Sequence, residues 1–401
     1  MRILRRTGLA IVLAVGAACL GCAKWLEQVA GGPDRPATEE ECQAFGSELE
    51  AAVTAGDQAK TAELFALAGI FYKAVSDFEG PPEYHAHLRH NAEEDARNDP
   101  FVPLLLEAVR RGGQLKLLRV HTVDGRPRAL IRYIGPRGGV DYMDILPARR
   151  GGRVVAEDIH SAANGELATE TGRRLQLNVA AEQHQGPPGH PPSAAKLWVS
   201  NVPNINAMYK ASIERKYAEA IRIYRSLPEE IRLNKSMFLR YLWNAEAVSD
   251  AEFLLALDGF RRQFPGDPAL AFQDVDYYCL TRSFDQALRS IDKAEQAIGG
   301  DPYLNALRAK LLVKAWRHKE ARAAADKAIE EEPTLTHGYW GRISVALAET
   351  HHADTLKWLQ KLVENTGQKV GDLRQDPEFG VFVRSPEYQE WVRWYAARKK
   401  A

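Results

Sequence analysis

Residues 321–333 read Ala-Arg-Ala-Ala-Ala-Asp-Lys-Ala-Ile-Glu-Glu-Glu-Pro, and this stretch decides the reading of the C-terminal half. Ala321, Ala325 and Ala328 sit at offsets 0, +4 and +7. That spacing lines one face of a 3.6-residue helix. Pro333, at +12, has no N–H to continue the helix. Similar units begin at Ala220 (Tyr224, Leu227), Ala256 (Phe260, Gln263, Pro268), Ala287 (Ile291, Ala294) and Thr355 (Leu359, Leu362). The starts at 220, 256, 287, 321 and 355 lie 36, 31, 34 and 34 residues apart. A recurring period of this size marks stacked helix pairs. One pair cannot bury its apolar face alone, so at least about three must stack.

These units resemble the tetratricopeptide-repeat (TPR) family. Tyr217-Ala218-Glu219-Ala220 and Phe284-Asp285-Gln286-Ala287 look like the aromatic-x-x-Ala opening of its second helix. Asp267-Pro268, Asp301-Pro302 and Glu332-Pro333 look like its repeat-ending acidic-Pro. The chain departs from the pattern on the first helix. The position that is usually Gly or Ala is Met208, Asn244, Val275 and Ile343 in four units, and small only at Ala309. An unrelated stack of helical hairpins is therefore the alternative. The resemblance implies an all-α superhelical solenoid of about five repeats over 201–366. It also implies a concave face lined by first helices. In this register the inward positions include Tyr209, Tyr241, Phe272, Asp276, Tyr303, Lys310, Trp340 and Ser344. Tyr and Trp are common interface anchors, so a protein or extended peptide is the expected partner. The bland reading makes several of these packing residues. The Lys and Asn clamp of the chaperone-tail-binding branch is not matched. Phe379, Phe382, Tyr388, Trp391 and Trp394 crowd the end, and 367–401 is expected to cap the last repeat.

The other end of the chain reads as a processing signal. Arg2, Arg5 and Arg6 precede an uncharged run, Thr7 to Leu20. That run is short of the ~20 apolar residues a spanning helix needs. Cys19-Leu20-Gly21-Cys22 is similar to the lipobox of bacterial lipoproteins, with Cys19 standing where Leu is usual. The resemblance implies a signal over 1–21, lipid on Cys22 and a tether over 22–38 that includes Gly31-Gly32-Pro33. It places the body in the bacterial cell envelope, on the periplasmic side of the outer membrane. A plain secretory signal cut near Ala17-Ala18 is the alternative.

Between these ends, 39–182 reads as an α+β domain. Helical spacing covers 39–54, 58–68 and 101–111. The period then changes to strands at 115–123, 128–135, 140–146 and 153–160. Asp124-Gly125, Gly138-Gly139 and Gly151-Gly152 supply the turns, so a four-stranded antiparallel sheet is expected. The element order is similar to the NTF2-like fold. The Pro/Gly-rich stretch 183–200 is expected to link this domain to the repeats.

Lys+Arg and Asp+Glu each number 53, giving zero net charge. The basic excess that marks nucleic-acid binding is missing. Of four Cys, Cys42 and Cys279 remain once Cys19 and Cys22 are set aside. They are expected as buried thiols or an interdomain disulfide. His85, His87 and His90 lie close together, but only His87 and His90 share a helix face. His160, beside Ser161, points away from it on a strand. There is no phosphate loop, nucleophile elbow or Cys-x-x-Cys. No catalytic residue, cofactor or metal is therefore assigned. The expected function is a non-catalytic envelope lipoprotein that mediates protein–protein interaction. The alternative is a small-ligand receptor or enzyme with a pocket in the α+β domain.

Overall fold

The computed structural model describes residues 34–78, 80–136, 138–174 and 192–400. The expected signal, Cys22, most of the tether and residues 183–191 of the linker lie outside the described residues. The fold is mixed α/β. It divides into two compact units, one ending at Gln273 and the other starting at Asp274.

In the first unit, five helices among the described residues precede the four long strands: α1 (Glu39–Ala55), α2 (Gln58–Phe65), α3 (Leu67–Lys73), α4 (Pro82–Asn98) and α5 (Phe101–Arg110). Thr38 caps α1 in a full capping box with Glu41, which satisfies two orphan donors at once. The strands are β1 (Arg35–Pro36), β2 (Gln114–Val123), β3 (Arg126–Ile134), β4 (Val140–Arg150), β5 (Arg153–Ser161) and β6 (Glu166–Leu167). They form one antiparallel sheet in the order β2-β3-β4-β5-β6, with β1 on β4. The expected count of four strands is corrected to six among the described residues. The two extra strands are two residues each, too short to carry a period in sequence. Asp124 and Gly125 turn the β2–β3 hairpin at φ 51° and 73°, the left-handed pair such a turn needs. Ala129, Ile131, Ile145 and Ile159 are fully buried, and α1 packs on β2, β3 and β5. Gly46 of α1 is there because a Cβ would come within 2.6 Å of the Leu117 side chain.

The last residues of the expected tether are part of this body. Arg35 pairs in register with Arg149. Glu41 accepts from Arg35 at 2.7 and 2.8 Å and from Arg149 at 2.6 and 3.0 Å. Hydrogen bonds from Arg35, from the Thr38 backbone and from Arg149 hold the Glu41 carboxyl down at about 2.

Residues 168–174 are helical (α6). From Pro192 onward the chain is helical: α7 (Pro192–Ile213), α8 (Tyr217–Ser226), α9 (Glu229–Arg232), α10 (Lys235–Val248), α11 (Asp250–Gln263) and α12 (Leu270–Leu280). The unit boundary falls within α12. The second unit continues with α13 (Phe284–Ile298), α14 (Pro302–Lys314), α15 (His318–Glu331), α16 (Thr336–Ala348) and α17 (His352–Thr366). Three short 3-10 turns at 373–375, 377–379 and 382–384 lead to α18 (Pro386–Lys400).

One turn recurs along the helices. Arg215, Arg282, Trp316 and Thr350 each take positive φ, 62°, 58°, 59° and 58°. After each, the next N–H reaches back five residues. Lys216 donates to Ala211 O at 2.8 Å, Ser283 to Tyr278 O at 2.7 Å, Arg317 to Leu312 O at 2.9 Å and His351 to Ala346 O at 2.8 Å. This is the left-handed closure that ends a helix and reverses the chain. The last three turns, at 282, 316 and 350, are 34 residues apart. The turn after α10 differs. Ser249 is extended there and caps α11 by accepting from Glu252 N–H at 3.1 Å.

The unit-start residues Ala220, Ala256, Ala287, Ala321 and Thr355 are all fully buried. Small residues let helices close up: a Cβ on Gly341 of α16 would lie 3.1 Å from Ala325 Cβ and 3.3 Å from Ala309 Cβ. At the C-terminal end, Phe379, Phe382 and Trp391 bury against Tyr339, Ile343 and Leu359. Burying each such side chain contributes about 1.5–3 kcal/mol, so this segment is integral to the core.

Candidate functional site

Five of the eight expected groove residues are core residues: Tyr209, Tyr241, Phe272, Asp276 and Tyr303 are buried. In the first unit, Tyr209 lies under the Arg240 guanidinium, 4.4 Å from Cζ to ring. Tyr241 stacks on Tyr224 at 4.6 Å, and its hydroxyl donates to Glu252 Oε1 at 2.6 Å. Phe272 tilts against Tyr142 of β4, 5.4 Å between centroids. In the second unit, Tyr303 meets His337 edge-on at 4.8 Å, and Trp340 meets Phe379 edge-on at 6.4 Å. Lys310, Trp340 and Ser344 are half-buried. Burial disfavours the charged form of Lys310, Glu378 and Asp276 counter that, and Lys314 adds to it. The expected register thus brings Lys310 near Asp276 but turns most of its aromatic side chains inward. The cause is geometric: a first helix is covered by its own second helix and by the next pair. α14, for example, packs on both α15 and α16.

The face of the sheet turned away from α1 carries a polar cluster that the sequence-based expectations lacked. Strand register sets His121 of β2 opposite Arg128 of β3, and Asp144 of β4 opposite His160 of β5. His121 Nε2 lies 2.7 Å from Asp144 Oδ1, and Arg128 Nη1 donates to Asp144 Oδ2 at 3.2 Å. A carboxylate-held imidazole is the half of an acid–base site that orients the base. Here Asp144 is shared with the Arg128 guanidinium, so one carboxylate holds both side chains in place. The register needed to find this cluster depends on the irregularity between Leu117 and Arg119, which strand alternation alone does not reveal.

A second cluster surrounds Glu157 of β5. Lys73 Nζ lies 2.9 Å away, Arg126 Nη2 2.8 Å and Arg150 Nη2 3.4 Å. Burial works against ionisation of this carboxyl, but hydrogen bonds from Arg126 and Lys73 outweigh it and hold it at about 2.

A third cluster ties the sheet to the helices of its own unit. Glu166 of β6 accepts from Thr171 Oγ1 at 2.5 Å and from Arg174, and pairs with Lys235 of α10 at 3.2 Å. Lys235 also pairs with Asp267 at 2.7 Å. Next to Glu166, Gly165 (φ 64°) abuts the chain that starts α12: a Cβ there would come within 2.4 Å of Ala269 N. These groups hold geometry and leave no obvious reacting centre.

Cys42 and Cys279 are buried free thiols. Burial, chiefly, pushes both up to about 11, away from the reactive thiolate. Among the described residues no group of three or more His, Cys, Asp or Glu side chains is arranged to hold a metal ion. No helix among them is long and apolar enough to cross a membrane. Comparison with protein families, with curated proteins and with solved structures gave no match.

Proposed function

We propose that this chain is a membrane-anchored, non-catalytic envelope lipoprotein whose helical region is a TPR-like superhelical array that binds another protein. The observation that carries the reading is the recurring left-handed turn at 282, 316 and 350, with Ala287, Ala321 and Thr355 buried at the same 34-residue interval. Each unit then repeats both its chain reversal and its packing contact, as a nearest-neighbour stack does. The Cys22 lipobox supports the location. The burial of the tyrosines moves the contact surface to the half-buried and exposed side chains, such as Trp316, which is 80% exposed.

Two experiments test the proposal. The mass of the mature N-terminal peptide is expected to show diacylglyceryl-modified Cys22. A free N-terminus elsewhere refutes the anchor. For the array, residues 318–351 are removed as one unit from a chain starting at residue 23. The shortened chain is expected to unfold cooperatively with proportionate loss of helix, and to lose a defined partner retained from envelope extract by the intact chain. Collapse to a non-cooperative state refutes the repeat reading, and equal partner recovery refutes the adaptor role.

A second reading rests on the His121–Asp144 pair: a small-ligand or enzyme site on the sheet. His121→Ala with unchanged ligand binding would remove it.

A further inference from the structure

In the second unit, three cations converge on one indole. Arg342 of α16 places Cζ 4.6 Å from the Trp358 ring centroid, Lys361 places Nζ at 4.7 Å and Lys357 at 5.9 Å. Trp358 itself is nearly covered and lies tilted against Tyr339, 6.3 Å between centroids. Packing of alkyl stems over an indole is ordinary, and each cation gains modestly from the ring. Three cations on one ring concentrate positive charge around it, and like charges repel one another.

The partners within the protein do not suffice. Neither Lys357 nor Lys361 has a carboxylate within ion-pairing distance among the described residues. Asp326 Oδ1 lies 3.2 Å from Arg342 Nε, close enough for an ion pair. Yet Arg342 Nε and Nη1 are both buried without a hydrogen-bond acceptor. The Arg342 side chain is only 14% exposed, and a buried donor without a partner is costly. The other charges facing Arg342 are Arg322, Asp354 and Glu349. Glu349 is already engaged by Arg322 and by His318 at 3.8 Å. None of the three cations is an expected groove position, although Trp340 and Ser344 share α16 with Arg342. This site lies where α16 and α17 pack together.

We infer that Arg342, Lys361 and Lys357, on the Trp358 ring, form a binding site for an oxyanion, the phosphate or carboxylate group of a ligand. A planar guanidinium and an ammonium suit such a group: the first supplies directed N–H donors, the second a movable point charge. The site goes beyond the adaptor reading and stands if that reading fails.

The chain from residue 23 is titrated with inorganic phosphate and, separately, with succinate, at ionic strength held constant with chloride. Trp358 fluorescence is obtained by difference from Trp358→Phe. A saturable change with phosphate, succinate or both is expected, and which anion gives it tells a phosphoryl from a carboxyl ligand. Lys361→Gln, on a partly exposed side chain, is expected to weaken it about tenfold, the effect of losing one charged contact. Arg342→Lys, which keeps the charge and removes the fork, is expected to weaken it as well. No response to either anion, an equal response to chloride, or unchanged titrations in both variants overturns the assignment.

Discussion

Replacing Gly165 by Ala tests whether the sheet and the helices of the first unit are locked together. Gly165 has φ 64°. A left-handed conformation costs an L-residue about 1–2 kcal/mol. The added methyl would also lie 2.4 Å from Ala269 N and 3.0 Å from Asp267 Oδ1. These are the two atoms of the 2.9 Å hydrogen bond that begins α12. Ala269 N is a backbone atom and cannot swing aside as the Asp267 side-chain tip can, so backbone must move, and forced overpacking costs about 1–3 kcal/mol more. The expected loss is about 2–5 kcal/mol in all, on those two costs. Gly125→Ala is the control: its φ is 73°, but nothing lies within 4 Å of the new Cβ. It carries the left-handed cost alone. Both variants gain equally from the stiffer unfolded chain, so that term cancels between them. Urea unfolding of the chain from residue 23, compared at constant m, gives the difference. Equal losses in the two variants would refute the reasoning, because they would show that the Asp267–Ala269 backbone yields freely.

Two other outcomes follow from the titrating groups. The folded state holds Glu157 near 2 against an ordinary 4.5, so its ionised form stabilises the protein above about 4.5, and that gain is lost as pH falls toward 2. A displacement of that size corresponds to at most about 3 kcal/mol. Glu157→Gln is therefore expected to unfold more easily than the parent at pH 7 and equally at pH 2. A constant gap across that range would contradict the pairing with Arg126 and Lys73. Cys42 and Cys279 are expected to react with iodoacetamide at pH 8 only as fast as the chain opens, and fully in urea. Rapid labelling of the folded chain would contradict their burial.

Much of the architecture is readable from residues alone, and the reasons are specific. The four long strands announce themselves because each carries alternation between glycine-bearing turns. Strands β1 and β6 do not, since two residues hold no period. Ala287, Ala321 and Thr355 mark the packed face of the helix pairs, where small size is itself the signal. The open face is harder. Tyr241 has the spacing of a surface residue, yet its ring stacks on Tyr224 and its hydroxyl finds Glu252. An amphipathic side chain satisfies its polar tip in the interior as readily as in solvent. The Trp358 site is invisible for another reason: Arg342 meets Lys361 only through the packing of two helices.

The short β1 strand has a mechanical consequence. Any pull on the chain ahead of residue 34 enters the body through the Arg35–Glu41–Arg149 clamp and the edge of β4. The load is borne by paired guanidinium–carboxylate contacts, which are among the stronger hydrogen bonds available to a protein. The helices downstream are therefore insulated from tension, and the clamp acts as the strain relief on a cable. A load arriving ahead of residue 34 is met at the edge of the sheet, before the helices that run on from Pro192.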